Sequence, residues 1–168
     1  MRGRPRMKLQ MNTRLALYSV LEFASDPTRH IAAGEIAQRY GVSSHHLAKV
    51  LSELARAGIV ESVRGVGGGY RFAANARRLT LMDVIQMFED FGTGDAARRE
   101  DGDDTPVGTA LAAVLAEIDE IAKATFSTIT LATMLRLIER QRADAARGAE
   151  RRPEAGASPR ARPARRRP

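Results

Sequence analysis

Between residues 43 and 71 the chain gathers side chains suited to holding a polyanion and reading the edges of flat bases. Ser43-Ser44-His45-His46 and Lys49 stand close together, and Arg64 and Arg71 bracket the glycine run Gly65-Val66-Gly67-Gly68-Gly69. Serine hydroxyls and a lysine ammonium are phosphate ligands, while an imidazole can reach a base edge. An arginine beside a narrow minor groove is drawn in by the enhanced negative potential there. Gly67 and Gly68 carry no side chain to hold the backbone away from a groove. This is the chemistry of binding. No nucleophile, base and metal-ligand set converges anywhere in the sequence, so no enzyme is expected.

Competing uses of the same residues fail on spacing. A phosphate-cradling P-loop needs Gly-Lys-Ser/Thr running into a helix, and a dinucleotide fingerprint needs a third glycine where Tyr70 stands. His45 and His46 would point about 100° apart on a helix, so they are poorly placed to chelate one metal ion. No metal site is expected.

The elements that must position these groups read as follows. A first helix spans about Thr13 to Ala24, ended by Asp26-Pro27 because proline pushes the residue before it out of helical geometry. A second helix spans Ala33 to Tyr40, with Ile36 and Ala37 inward. Gly41 then takes a left-handed turn and Val42 plugs the corner. Ser43 or Ser44 caps a third helix with Leu47, Val50, Leu51 and Leu54 on its inner stripe. A small residue, a glycine four positions on, and apolar residues after it are what a helix-turn-helix requires. Ile59 to Arg64 and Tyr70 to Phe72 read as two strands around the glycine tip, making a wing. The expected fold is mainly α: a winged helix-turn-helix of three helices plus a two-stranded wing, with a long C-terminal dimerisation helix.

Composition agrees with a DNA partner. The net charge is +7, but it is uneven: +4 over 1–8, +4 over 9–82, −7 over 83–141 and +6 over 142–168. Basic ends around an acidic middle suggest that one part meets polyanion and another does not. No apolar run approaches the roughly 18 residues that span a membrane, and residues 1–6 lack the apolar stretch of a secretory signal. A cytoplasmic protein is expected. With no cysteine in the chain, disulfides, thiolate zinc sites and cysteine-held iron–sulfur clusters are excluded.

Several runs together resemble one family. They are Met7-Lys8-Leu9 leading into Leu15-Ala16-Leu17-Tyr18, the stretch Ile36 to Ser43, and Val63-Arg64-Gly65-Val66-Gly67-Gly68-Gly69-Tyr70. With Leu79 to Ile85 and Ile129-Thr130-Leu131, they resemble the winged-helix repressors that include the bacterial iron–sulfur cluster regulator and the nitric-oxide-sensitive repressor. The resemblance covers about Met7 to Gln141. It implies a homodimer on an imperfect palindrome, with the third helix in the major groove and the wing in the minor groove. On that resemblance Ser43, Ser44, His45, His46, Arg64 and the wing glycines carry DNA contact, and Arg14 matches a first-helix position near the DNA backbone. Sensor members hold their cluster with three cysteines in the loop after the fourth helix. Here that loop, Gly92 to Thr105, has neither cysteine nor histidine, so no cofactor is expected. Its carboxylates lack calcium-loop spacing.

In the second half, Thr80-x-x-Asp83 starts a short helix with Leu81, Val84, Ile85 and Phe88 inward. Thr105-Pro106 opens a longer one. Its stripe of Leu111, Leu115, Ile118, Ala122 and Phe126 is the expected dimer seam, the alternative being packing on the chain's own winged part. A last helix spans about Leu131 to Arg142. The expected organisation is a DNA-binding domain at 7–78, a helical dimerisation region at 79–142 and a disordered basic tail at 143–168 that adds salt-sensitive affinity or only solubility. Residues 1–6 precede the start implied by the resemblance.

The function expected is a sequence-specific, homodimeric transcription regulator on double-stranded DNA, acting as a repressor. A nonspecific architectural DNA binder and a winged protein-interaction module are the alternatives. The effector is left open.

Overall fold

The computed structural model describes residues 9–65, 67–89 and 104–150, and for 149 and 150 the backbone alone. The elements are α1 (Met11–Ser25), α2 (Ala33–Tyr40), α3 (Ser44–Arg56), β1 (Val60–Val63), β2 (Gly69–Phe72), α4 (Leu81–Ile85), α5 (Pro106–Thr128) and α6 (Leu131–Glu150). The basic arm 1–8, Val66, loop residues 92–103 and tail residues 151–168 lie outside the described residues. The architecture is the mainly helical winged fold, with a two-stranded antiparallel sheet after α3.

Local chemistry sets most boundaries. α1 begins two residues before Thr13 because Glu89 reaches its first turn from the far side of the fold. The Glu89 carboxylate accepts from the Gln10 backbone N–H at 2.6 Å and from Thr13 Oγ1 at 2.9 Å. A carboxylate there meets the positive end of the helix. After Ser25 the chain turns at Asp26, whose side chain accepts from the Thr28 hydroxyl and N–H. Those bonds, the hydroxyl's first, hold its carboxyl below the usual range. Gly41 closes α2 at φ 64°, where any other residue would be strained. Thr80 and Asp83 form a reciprocal capping box at α4, and Thr105 caps α5 with Pro106 in its first turn.

α1 packs on α3, α4 and β2; α2 packs on α3; and α3 leads into β1. Their shared interior contains Leu15, Phe23, Ile36, Leu47, Leu51, Leu54 and Val60, all essentially without solvent contact. Each such side chain stabilises the fold by about 1.5–3 kcal/mol relative to exposure. The same core includes Leu81, Val84, Ile85 and Leu131, so it runs across the expected division at residue 78. Backbone bonds from Leu81 N–H to the Ile129 carbonyl and from Leu131 N–H to the Leu79 carbonyl tie these segments together.

The chain divides into two compact units, 1–135 and 136–168. α6 extends eight residues past the expected end at Arg142, so residues 143–150 of the expected tail are helical. Alanine and arginine are strong helix formers, and Asp144 pairs with Arg147 one turn on.

Candidate nucleic-acid interface

The third helix offers its N-terminal half to solvent. Ser43 is the cap: its hydroxyl accepts from the His46 backbone N–H at 3.1 Å. Ser44, His45 and Lys49 are exposed, and so is Ala48, which the sequence reading passed over. A helical period places Ala48 on the face shared by His45 and Lys49, where a small residue permits close approach. His46 differs from its neighbour. It is half-buried, and its Nε2 is enclosed with no hydrogen-bond partner.

The wing follows three residues after α3. β1 and β2 pair in the register Val60↔Phe72, Glu61↔Arg71, Ser62↔Tyr70 and Val63↔Gly69. Arg64 stands exposed at the end of β1, and Gly67 lies open at the tip. The neighbouring glycines serve the wing's own packing. A Cβ on Gly68 would collide with the Val63 carbonyl, and one on Gly69 would lie 2.5 Å from the Ile31 carbonyl oxygen. Tyr70 and Ile31 exchange both backbone hydrogen bonds at 2.9 Å, adding a short third bridge to the wing's base.

Ion pairing sorts the cations of residues 9–89. Arg29 pairs with Glu35, Arg39 with Glu22 and Glu35, Arg56 with Glu53, and Arg71 with Glu61 across the wing. Arg14, Lys49, Arg64, Arg77 and Arg78 form no ion pair among the described residues. The expected contacts Arg14, Lys49 and Arg64 therefore keep their full charge, whereas Arg71 has a carboxylate against it. Arg77 and Arg78, in the turn after the wing, were not singled out from the sequence.

Arg14 sits in an aromatic setting. Its guanidinium lies 5.9 Å from the Tyr18 ring centroid and donates to the Tyr18 hydroxyl at 3.4 Å. Tyr18 stacks on Tyr40 with centroids 4.7 Å apart and planes 16° from parallel. Tyr40 in turn donates to Glu22 at 2.7 Å, and Glu22's other oxygen accepts from Arg39 at 2.5 Å. Burial, then the adjacent Glu22 carboxylate, raises the Tyr40 phenol far above its ordinary range, so it remains a donor.

The expected dimer seam is divided between two environments. On α5, Val107, Leu111, Val114, Leu115, Ile118 and Ile121 are each more than half exposed, and no residue of the helix is buried. Ala122 is half-buried, and Phe126 packs against the core of its own chain. The outward stripe therefore includes Val107, Val114 and Ile121, which the sequence reading omitted. Among the described residues, no helix is long and apolar enough to cross a membrane.

Residues 9–137 match the Rrf2 family, described as iron-dependent transcriptional regulators. The chain is 47% identical over 142 residues to the HTH-type transcriptional regulator BadM of Rhodopseudomonas palustris, a match covering 84% of this chain and 90% of that protein. It is 34% identical to the HTH-type transcriptional regulator IscR of Vibrio campbellii over 61% of each chain. Among solved structures it resembles CymR, the global cysteine regulator of B. subtilis. That likeness has a TM-score of 0.62 and 26% identity, covering 79% of this chain and 98% of that one. These proteins are regulators, not enzymes. Iron–sulfur clusters are held by cysteine thiolates, and this chain has none. Among the described residues no three His, Asp or Glu side chains are grouped to share a metal ion either. The donor set does not fit a cluster, although fold and sequence agree throughout the winged part: this chain belongs to the Rrf2 family of helix-turn-helix transcriptional regulators.

Proposed function

We propose that the protein is a sequence-specific homodimeric repressor of a palindromic operator, acting in the cytoplasm without an iron–sulfur cluster. α3 enters the major groove and the wing the adjacent minor groove. The observation that carries this reading is the sorting of cations. Lys49 on the exposed half of α3, Arg64 on the wing and Arg14 on α1 lack carboxylate partners, while most other arginines of the winged part are neutralised. Ser44 and His45 supply the polar groups for direct contact, and Gly67 and Gly68 let the wing tip approach. Ser43 is committed to its cap and His46 is partly enclosed, so both act mainly by shaping the helix start.

The dimer reading rests on α5. Two copies bring twelve more-than-half-exposed apolar side chains together. At about 1.5–3 kcal/mol for full burial of each, half of that yield is comparable with the roughly 4–15 kcal/mol cost of association. Leu111, Leu115 and Ile118 remain central, Ala122 lies at the edge, and Phe126 supports the helix from within its own chain.

The test is a titration of genomic fragments, chosen by mapping bound sites, against random duplex. A regulator prefers its sites by about a thousandfold or more. Replacing His45 with Ala or Arg64 with Gln should cost roughly five- to hundredfold on those sites and less on random DNA. Equal losses on both would assign these residues to backbone contact. Absence of any preference would favour a nonspecific architectural binder.

A further inference from the structure

Arg14, Tyr18 and Glu22 succeed one another a turn apart on α1. Tyr40 is the last residue of α2, and only Gly41 and Val42 separate it from the Ser43 cap of α3. We propose that Tyr18 is a positioning residue for DNA binding: stacked on Tyr40, its ring holds the Arg14 guanidinium beside the turn into α3, ready for a backbone phosphate. The proposal rests on the reading of Arg14 as a backbone contact, and it adds how that contact is prepared.

Arginine is a long side chain that loses rotamer freedom when it is fixed, so a loose one contributes little of its charge to a defined contact. Arg14 is held by a ring face and a hydroxyl. Neither neutralises it, in contrast to the carboxylates that hold Arg29, Arg39, Arg56 and Arg71. A cation over an aromatic face keeps its outward N–H groups free for a second partner.

The ring itself is prevented from swinging. Tyr40 lies flat against it, and the Tyr40 hydroxyl is fixed on Glu22. Glu22 is only 16% exposed and uses its second oxygen on Arg39, which also bonds Glu35. Arg39 is therefore consumed in anchoring the stack. The arrangement spans α1 and α2 and comes to a point at the single unpaired cation, Arg14. A stack that merely joined two helices would have no need of that cation at its end.

A double-mutant cycle on the full chain separates these roles, with a random-sequence duplex as the probe and salt varied between about 50 and 200 mM. Arg14→Gln should reduce affinity and lower the salt slope by about 0.9, one phosphate contact per protomer. Tyr18→Leu should reduce affinity about three- to tenfold and lower the slope towards that of Arg14→Gln, although Arg14 is still present. Tyr18→Phe keeps the ring face and should stay within about twofold of the native protein. In the Arg14→Gln background, Tyr18→Leu should add almost nothing. If its effect is undiminished there, or if the native slope survives Tyr18→Leu, the positioning role is overturned while the Arg14 contact stands. If Arg14→Gln leaves affinity and slope unchanged, the backbone-contact reading itself falls. Unfolding midpoints of all variants identify a loss that reflects folding alone, and Tyr18→Phe affinity reduced as far as Tyr18→Leu also counts against the ring.

Discussion

α3 and α5 are both amphipathic helices, and they use their apolar residues in opposite ways. α3 has 13 residues and buries Leu47, Val50, Leu51 and Leu54 within its own chain, leaving a polar face of Ser44, His45 and Lys49. α5 has 23 residues, buries none, and leaves six large apolar side chains more than half exposed. A stripe satisfied internally holds a surface in place for another molecule. A stripe left open is itself a surface for another molecule. The first helix belongs to the fold of one chain, and the second requires more than one chain to be stable in water.

That contrast can be broken by experiment. The largest effect is expected inside α3: Leu54→Ala should lower folding stability by about 2–5 kcal/mol in urea unfolding, through lost burial and the cavity left behind. The matching change on α5, Leu111→Ala, should hardly alter unfolding at concentrations where the chain is monomeric, and an equal loss there would erase the distinction. Next in size, Ile118→Glu should weaken self-association roughly hundredfold in sedimentation, since it places two like charges across an apolar contact. Survival of the dimer would move the interface elsewhere. Gly69→Ala should cost about 1–3 kcal/mol by forcing β2 away from Ile31, visible as faster hydrogen exchange at the Tyr70 amide. The smallest effect is spectroscopic. With a folded-state phenol raised above its unfolded value, Tyr40 favours the folded state less as pH rises past about 10, where unfolded tyrosine ionises. Absorbance titration should show one of the three tyrosines ionising late, and Tyr40→Phe should remove that step.

The parts legible in the sequence were those specified by neighbours along the chain. The bounds of α2, the left-handed Gly41, the Thr80–Asp83 box and the Thr105-Pro106 start all depend on residues within four positions. Contacts between distant segments were less accessible. Glu89 capping α1, and Ile31 bridging to Tyr70, join residues that no periodicity connects. The α5 stripe was found but rotated, because two overlapping apolar rows run along that helix. Which row faces inward is decided by how Phe126 meets the core. At the candidate interface, residue types pointed to Arg71 as readily as Arg64. Only the cross-strand register reveals that Glu61 stands opposite the former.

The bridge between Ile31 and Tyr70 has a mechanical consequence. A wing joined to the body only through its two strand ends could tilt to suit whatever groove it met. Here β2 is also stitched sideways to the segment before α2, and the stitch closes only where Gly69 lets two backbones touch. The wing and the reading helix therefore behave as the fixed jaws of a caliper. When the jaws do not give, the duplex must, and the stiffness of its base steps becomes part of what is measured. A protein built this way discriminates among sequences at positions it never contacts.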